Sequence, residues 1–478
     1  MKIVVLNGSP KGDAGVTIQY IHYLERMIPE HQFIIHHVAH TIRALEKDMV
    51  TFDLVVNDIR ASDGVIWAFP LYYLLVPSQF KRFIELVSER DAKGAFENKY
   101  TAAFSTSIHF FDHTAHNYIH AVCDDLGMHY NGFFSSEMED GKYAGNREKL
   151  LYFARDFLSA IIDQRPCQKV YPPLVHEAFS YIPRNRQESH PAGGKKIVIV
   201  TDESPEDSNL NRMIEYFRGY FSDLVPVYRL QDVKIRGGCI GCIQCGPDNC
   251  CVYQDGYADF FNSVLVPADI IIIAGKIHDR YLSAKWKEFF DRSFFRGHTP
   301  SFEGAQIGYM VSGPLAQLPN LREILEAYAE NQHANPSFIT DEPGDTGDLD
   351  RMIGSFAGTI LAYAQAGYVR PPTYLSVGGR KIFRDAVFGR LRFPFLADHA
   401  YYRQHGYYDF PQGEYRVRMR NAIMGLLMYL PAVQREYKKR SMIEPGKHVS
   451  KLLDNSSGST PQHKWMTRFP GKGCIQGP

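Results

Sequence analysis

The chain has 478 residues, too many for one hydrophobic core, so at least two domains are expected. Lys and Arg together number 53 and Asp and Glu 53, and a zero net charge gives no global basic field for nucleic acid. The longest apolar run, Ala422 to Leu430, is too short to span a bilayer, and Met1 leads straight into a strand-like Lys-Ile-Val-Val-Leu without an apolar leader or cleavage site. No transmembrane segment, no secretory signal and, given clustered thiols, a reducing cytoplasmic setting are expected.

Continuously apolar runs alternate with helical patterns, the mark of parallel strands buried on both faces. Strands are expected near 2–7, 32–37, 63–68, 99–105 and 130–134, then near 195–201, 225–230, 268–274, 305–312 and 335–339. The second set echoes the first. Asp63-Gly-Val-Ile-Trp-Ala68 matches Asp269-Ile-Ile-Ile-Ile-Ala274, and Phe80, Lys81, Phe83, Ile84 and Glu85 align without a gap on Trp286, Lys287, Phe289, Phe290 and Asp291. Right-handed crossovers then give an α/β fold of two tandem, doubly wound, five-stranded parallel sheets. The expected domains are 1–163 and 195–366, joined by a linker at 164–194. Residues 367–478 form a mostly helical or irregular C-terminal extension.

Between the first strand and its helix lies Asn7-Gly-Ser-Pro-Lys-Gly-Asp-Ala-Gly-Val-Thr17. Glycines let backbone N–H groups approach an anion, Ser9 and Thr17 offer hydroxyls, and the helix start adds positive potential. The P-loop and dinucleotide fingerprints are both absent. The plainer reading is a strand–helix turn with Thr17 as a cap. After strand three comes Phe69-Pro-Leu-Tyr-Tyr-Leu-Leu-Val-Pro77, at the carboxyl edge where open α/β sheets bind ligands. Its aromatic and apolar groups suit the faces of a flat ring; the alternative is that Tyr72 and Tyr73 cover the sheet end. A third loop, Ser105-Thr-Ser-Ile-His-Phe-Phe111, reaches the same edge, and His109 there is a weak catalytic candidate.

Residues 239–251 read Cys-Ile-Gly-Cys-Ile-Gln-Cys-Gly-Pro-Asp-Asn-Cys-Cys. Cys239, Cys242 and Cys245 on two-residue gaps, with Cys250 or Cys251 as a fourth, have the spacing of an iron–sulfur cubane. Zinc more often pairs two separated C-x2-C knuckles, and redox-active or metal-free thiols are the other alternative.

The order of strand, Gly-Ser-Pro-Lys loop, helix and Pro-x-Tyr-x4-Pro-x3-Lys resembles the NAD(P)H-dependent FMN reductase family, and Cys-x2-Cys-x2-Cys-x5-Cys followed by Val252-Tyr-Gln-Asp255 resembles its iron–sulfur flavoprotein branch. The resemblance covers roughly 1–165 and 195–365. It implies flavodoxin-like domains arisen by tandem duplication. Ser9, Lys11 and Thr17 would then lie at the FMN phosphate, and Pro70, Leu71, Tyr72, Tyr73 and Leu74 along the isoalloxazine. Thr106, Ser107 and His109 would face the ring. It also favours Cys251, with Cys239, Cys242 and Cys245, as the ligand set of a [4Fe–4S] cluster. The halves depart from the pattern in complementary ways: the first has no cysteine after its second strand, and the second replaces Gly-Ser-Pro by the acidic Thr201-Asp-Glu-Ser-Pro-Glu-Asp-Ser-Asn209. Domain one is therefore expected to bind FMN and domain two the cluster. Ser208-Asn209 and Ser312-Gly313 leave a second FMN open.

The implied activity is that of an iron–sulfur flavoprotein oxidoreductase, passing electrons among NAD(P)H or ferredoxin, FMN, the cluster and a small-molecule or protein acceptor. The alternatives are an NAD(P)H-dependent FMN or quinone reductase with a structural Cys loop, and a non-catalytic redox sensor or electron carrier. By the resemblance to oligomeric relatives, the halves are expected to pack as a pseudo-dimer, or to pair between chains as a homo-oligomer. The aromatic segment Phe383 to Tyr408 is expected to clamp that junction, and the basic stretch Arg380 to Phe395 reads as a packing arm rather than a membrane-surface helix. Residues 454–478 read as a mobile end, with no role for Cys474.

Overall fold

The computed structural model describes residues 1–176, 179–184, 188–342 and 344–440; the expectations for 454–478 lie outside them. The chain divides into two compact units, Met1–His399 and a second that begins at Ala400.

The first unit opens with β1 (Lys2–Asn7), α1 (Val16–Met27), β2 (Gln32–His36), α2 (Ile42–Lys47), α3 (Met49–Arg60) and β3 (Gly64–Pro70). It continues through α4 (Ser78–Glu89), β4 (Tyr100–Ser107), α5 (Asp112–Asp125), β5 (His129–Glu137) and α6 (Ala144–Ile162). A second series follows: β6 (Ile197–Thr201), α7 (Asn209–Gly219), β7 (Val227–Arg229), α8 (Tyr257–Phe260), β8 (Ile270–Lys276) and α9 (Ala284–Arg292). It closes with β9 (Gln306–Ser312), α10 (Pro319–Asn331), β10 (Asn335–Thr340) and α11 (Thr346–Ala366). Helices α12 (Tyr374–Phe388), α13 (Leu396–Gln404), α14 (Tyr415–Leu427) and α15 (Pro431–Arg440) complete the described chain.

All pairings are parallel, in the orders β2-β1-β3-β4-β5 and β10-β9-β8-β6-β7, so both sheets share one doubly wound order. The central strands β1, β3, β6, β8 and β9 are largely apolar because both of their faces are buried, while the edge strands β2, β5, β7 and β10 are mixed and partly exposed. In β1, Ile3 and Val5 pack with α1 and α6, while Val4 and Leu6 face the opposite way with α3, α4 and α5. In β6, Ile197 and Ile199 pack against α7 and α11, and Val198 and Val200 turn inward. The two inward faces share one core, in which Trp67, Phe80 and Phe83 of the first half join Trp286, Phe289 and Phe290 of the second.

At the centre of that junction α4 and α9 exchange helix caps. Ser78 N donates to Asp291 Oδ2 at 2.7 Å, and Ala284 N donates to Glu85 Oε1 at 2.6 Å. Each helix thus supplies the anion that the partner's amino end favours. Two buried lysines complete the exchange. Lys81 Nζ lies 2.7 Å from Glu85 and 3.0 Å from Asp279, while Lys287 bonds Asp291 and donates to Tyr72 O at 2.8 Å. Burial would lower Lys81, but Asp279 and Glu85 outweigh it and raise it. Lys287, with one carboxylate, is lowered by burial, and burial holds Asp291 up at about 6.

Residues 367–399 pack onto this junction within the first unit. Phe383 stands 4.8 Å from the ring of Phe110 in the first half and 3.9 Å from that of His298 in the second, whose Nδ1 lies 2.8 Å from Asp398 Oδ2. The arm reading of Arg380–Phe395 fits this packing.

Candidate functional site

In the first half, three loops meet at the carboxyl edge of the sheet. Asn7, fully buried, organises the first: its Oδ1 accepts from Ser9 N at 3.0 Å and its Nδ2 reaches Gly12 O at 3.3 Å. Ser9 Oγ accepts in turn from Lys11 N at 3.3 Å. Helix α1 starts after Gly15 with no side-chain cap, so its first N–H groups remain available to a ligand. Thr17 is not the cap: its Oγ1 lies 2.6 Å from Thr106 Oγ1, stapling this loop to the end of β4. Thr106 O also accepts from Leu71 N at 3.2 Å, which brings in the loop after β3. His109, 44% exposed, hydrogen-bonds Asp112 at 2.7 Å, and Ser107 Oγ accepts from its backbone N–H.

The loop after β3 then turns away. Tyr73 and Leu74 have φ of 39° and 68°, and this left-handed pair sends Tyr73 into the second half. Its ring lies 5.5 Å from that of Tyr328, its hydroxyl accepts from Gln332 Nε2 at 3.3 Å, and burial pushes its pKa up to about 12. Leu74 is in the shared core. Tyr72 points at the cysteine loop, where a Cβ at Gly241 would overlap its hydroxyl; Gly241, at φ 63°, is the residue that fits.

The cysteine loop follows β7 and lies against Tyr72, Gln79 and Arg43 of the first half. Gln79 Nε2 donates to Cys239 O at 3.2 Å, and Arg43 donates to Arg236 O. Ala397 N of the arm donates to Gly246 O at 3.1 Å, and a Cβ at Gly246 would overlap Pro394 O. Free thiols of Cys239, Cys242, Cys245 and Cys251 line one small hollow with Arg292, Phe294 and Phe295; Cys250 is not in this set. Burial, reinforced by the neighbouring thiols, pushes Cys239 and Cys245 up to about 12. Gly241 N donates to Cys239 Sγ at 3.4 Å. Arg292, fully buried, holds Asp255 through two bonds of 2.7 and 2.8 Å, and its Nε carries no partner. Among the described residues no three His, Cys, Asp or Glu side chains are gathered tightly enough to hold a single metal ion.

Residues 1–131 match the profile of the NADPH-dependent FMN reductase family. The first domain belongs to that family. It is accordingly the domain of a flavin-dependent oxidoreductase, and the match spans the Ser9, Leu71 and Thr106 loops. Solved structures that resemble the chain include a general stress protein 14 from Treponema denticola in complex with FMN, at 13% identity and TM-score 0.26, covering 34% of this chain and 99% of that one. Another is the flavoenzyme NAD(P)H:(acceptor) oxidoreductase of Paracoccus denitrificans, at 19% identity and TM-score 0.28, covering 34% of this chain and 95% of that one. No curated protein sequence matches the chain.

In this FMN reductase domain, Asn7 and His40 also shape the first loop, although neither was expected to from the sequence. Asn7 sits one position before Gly-Ser-Pro and could have been read as a turn-forming side chain. His40, whose Nδ1 lies 2.9 Å from Pro10 O, carries no local signal.

The corresponding edge of the second half is built differently. A cavity of about 410 Å³ is lined there by Glu203, Ser208, Asn209, Lys276, Ser312 and Asp341, among others. Ser208 Oγ caps α7 by accepting from Asn211 N at 3.2 Å. Asn209 is spent on Phe179 O, Tyr181 N and Asp341, and Asp341 also accepts from Ser312 Oγ and Gly313 N at 2.7 and 2.8 Å. The linker residues Val175 and Phe179 lie over this cavity.

Proposed function

We propose that the protein is an iron–sulfur flavoprotein oxidoreductase that holds one FMN in the first half and one [4Fe–4S] cluster on Cys239, Cys242, Cys245 and Cys251. The observation that carries this reading is that four free thiols line one hollow, while the backbone of Cys239 and Gly241 meets Gln79 and Tyr72 from the flavin side. Ser9, Thr17 and the uncapped start of α1, with Lys11 nearby, would hold the phosphate. Pro70, Leu71 and the Thr106–His109 loop would border the ring, and Tyr72 would stand between ring and cluster. Tyr73 and Leu74 serve the domain junction.

The donor set suits a cubane. Four thiolates held apart by the cluster's own iron and sulfide need not converge on a single ion. The Arg292 guanidinium beside Cys251 and the N–H of Gly241 on Cys239 Sγ offset anionic charge in a site walled by Phe294 and Phe295. When bound, FMN takes up a hydride as two electrons and the cluster passes electrons one at a time, so the pair suits conversion between NAD(P)H or ferredoxin and an acceptor. In the second half, spent Asn209 and capped Ser208 oppose a second FMN.

Anaerobic purification with iron, sulfide and flavin assays tests this reading. About four iron, four sulfide and one FMN per chain are expected. Cys245→Ser is expected to lose the iron and keep the FMN. Stoichiometric zinc without sulfide, or flavin reduction by NADPH that proceeds unchanged in a sulfide-free protein, would favour a plain reductase with a structural Cys loop.

A further inference from the structure

We infer that α14 and the start of α15 dock the protein on an anionic lipid surface. In α14 no residue is buried, and Ala422-Ile-Met-Gly-Leu-Leu427 is exposed at every position. Six consecutive residues cover the whole circumference of a helix at 100° per residue, so the apolar surface here is a sleeve rather than a stripe. Leu426 within the helix is 71% exposed, and the sleeve continues past the helix end, where Tyr429 is 86% and Leu430 52% exposed.

No charged residue falls between Arg420 and Arg435. The flanks of this stretch are basic. Arg416, Arg418 and Arg420 precede it, and Arg435, Lys438 and Lys439 follow, against Glu414 and Glu436. A protein groove would cover one side of such a helix and leave the other wet. Acyl chains cover all sides, and basic flanks meet anionic headgroups. Tyr415, Tyr429 and Tyr437, all exposed, supply the amphipathic rings that favour that boundary. The uncharged stretch Asn421–Gln434 measures roughly 21 Å as a helix, short of the roughly 30 Å hydrocarbon core, so it seats in one leaflet. No helix among the described residues is long and apolar enough to cross a membrane. This inference is independent of the cofactor assignment.

Flotation of the full chain tests it, with vesicles of phosphatidylcholine alone and of equal parts phosphatidylcholine and phosphatidylglycerol. Binding to the anionic vesicles is expected to be at least about tenfold tighter, and to weaken in 0.5 M KCl as screening shortens the reach of the basic flanks. Leu426→Asp/Leu427→Asp is expected to lose at least about tenfold, with an unchanged near-ultraviolet spectrum because both side chains are exposed. Arg416→Gln/Arg418→Gln is expected to lose about fivefold per residue on anionic vesicles only. Absence of flotation, or flotation indifferent to the Leu pair, overturns the inference. So does a dimer in light scattering that the Leu pair dissociates without vesicle binding, which would assign the sleeve to a second copy of the chain.

Discussion

Helices α1 and α7 hold the same place in their sheets and begin in opposite ways. α1 starts at Gly15 with no side-chain cap, behind a loop whose only lysine, Lys11, is exposed. α7 starts with Ser208 accepting from Asn211 N, behind a loop of four carboxylates. Two of those carboxylates are occupied at home: Asp207 pairs with Arg212, and Asp202 accepts from Ser283 Oγ, with burial raising its pKa. One strand order therefore presents an open helix start in one half and a self-satisfied one in the other. The second half instead carries the thiols. Division of labour here lies in loops on a common sheet, as expected when function is grafted on a fold.

The largest effect that probes this comparison lies where the halves are most alike. Lys81 faces two carboxylates and Lys287 one, so Lys81→Met deprives two carboxylates of their lysine, Glu85 keeping Arg82 at 3.1 Å, against one for Lys287→Met. Removing one partner of a buried pair costs about 3–5 kcal/mol, and Lys81→Met should stand at the upper end. Urea unfolding followed by tryptophan fluorescence reads the order. Equal losses would mean that Asp279 is solvated or bound elsewhere, for instance by Tyr118, whose hydroxyl lies 3.1 Å from it.

A smaller effect tests the open site. Ser9→Asp sets a carboxylate beside the proposed phosphate position, and a like charge at about 4 Å costs about 2–4 kcal/mol at an intermediate effective dielectric. Flavin content after gel filtration should fall accordingly, with the iron content unchanged. Full occupancy in that variant would move the phosphate off this loop.

Much of this contrast was legible in the sequence. All ten strands fall where they were expected, the central ones as apolar runs because strands buried on both faces need no alternation, and the gapless echo of Phe80–Glu85 in Trp286–Asp291 marked the two helices that meet. The exchange of caps between them was not legible, since it depends on where two distant helix starts fall in space. Tyr73 was misleading for a local reason. As a residue of an aromatic loop at a ligand edge it reads as a ring neighbour, yet two left-handed residues in succession reverse the chain and bury it beside Tyr328. Thr17 likewise reads as a cap by position, while its hydroxyl is drawn to Thr106 across the sheet edge.

The smallest effect concerns the closed site. Ser208→Ala removes the cap of α7 and leaves Asn211 N without its acceptor, for a loss of about 1 kcal/mol. If the second half holds no flavin, the FMN-to-chain ratio stays at one in both proteins, and only the unfolding midpoint moves. The cap does not act alone, because Asn209 remains tied to Phe179 O and Asp341 remains on Gly313 N. Uncapping α7 should therefore fail to create an anion site. A second equivalent of FMN taken up by Ser208→Ala would show that the cap itself is what separates the two halves. It would also mean that the acidic loop turns its carboxylates away from a bound phosphate.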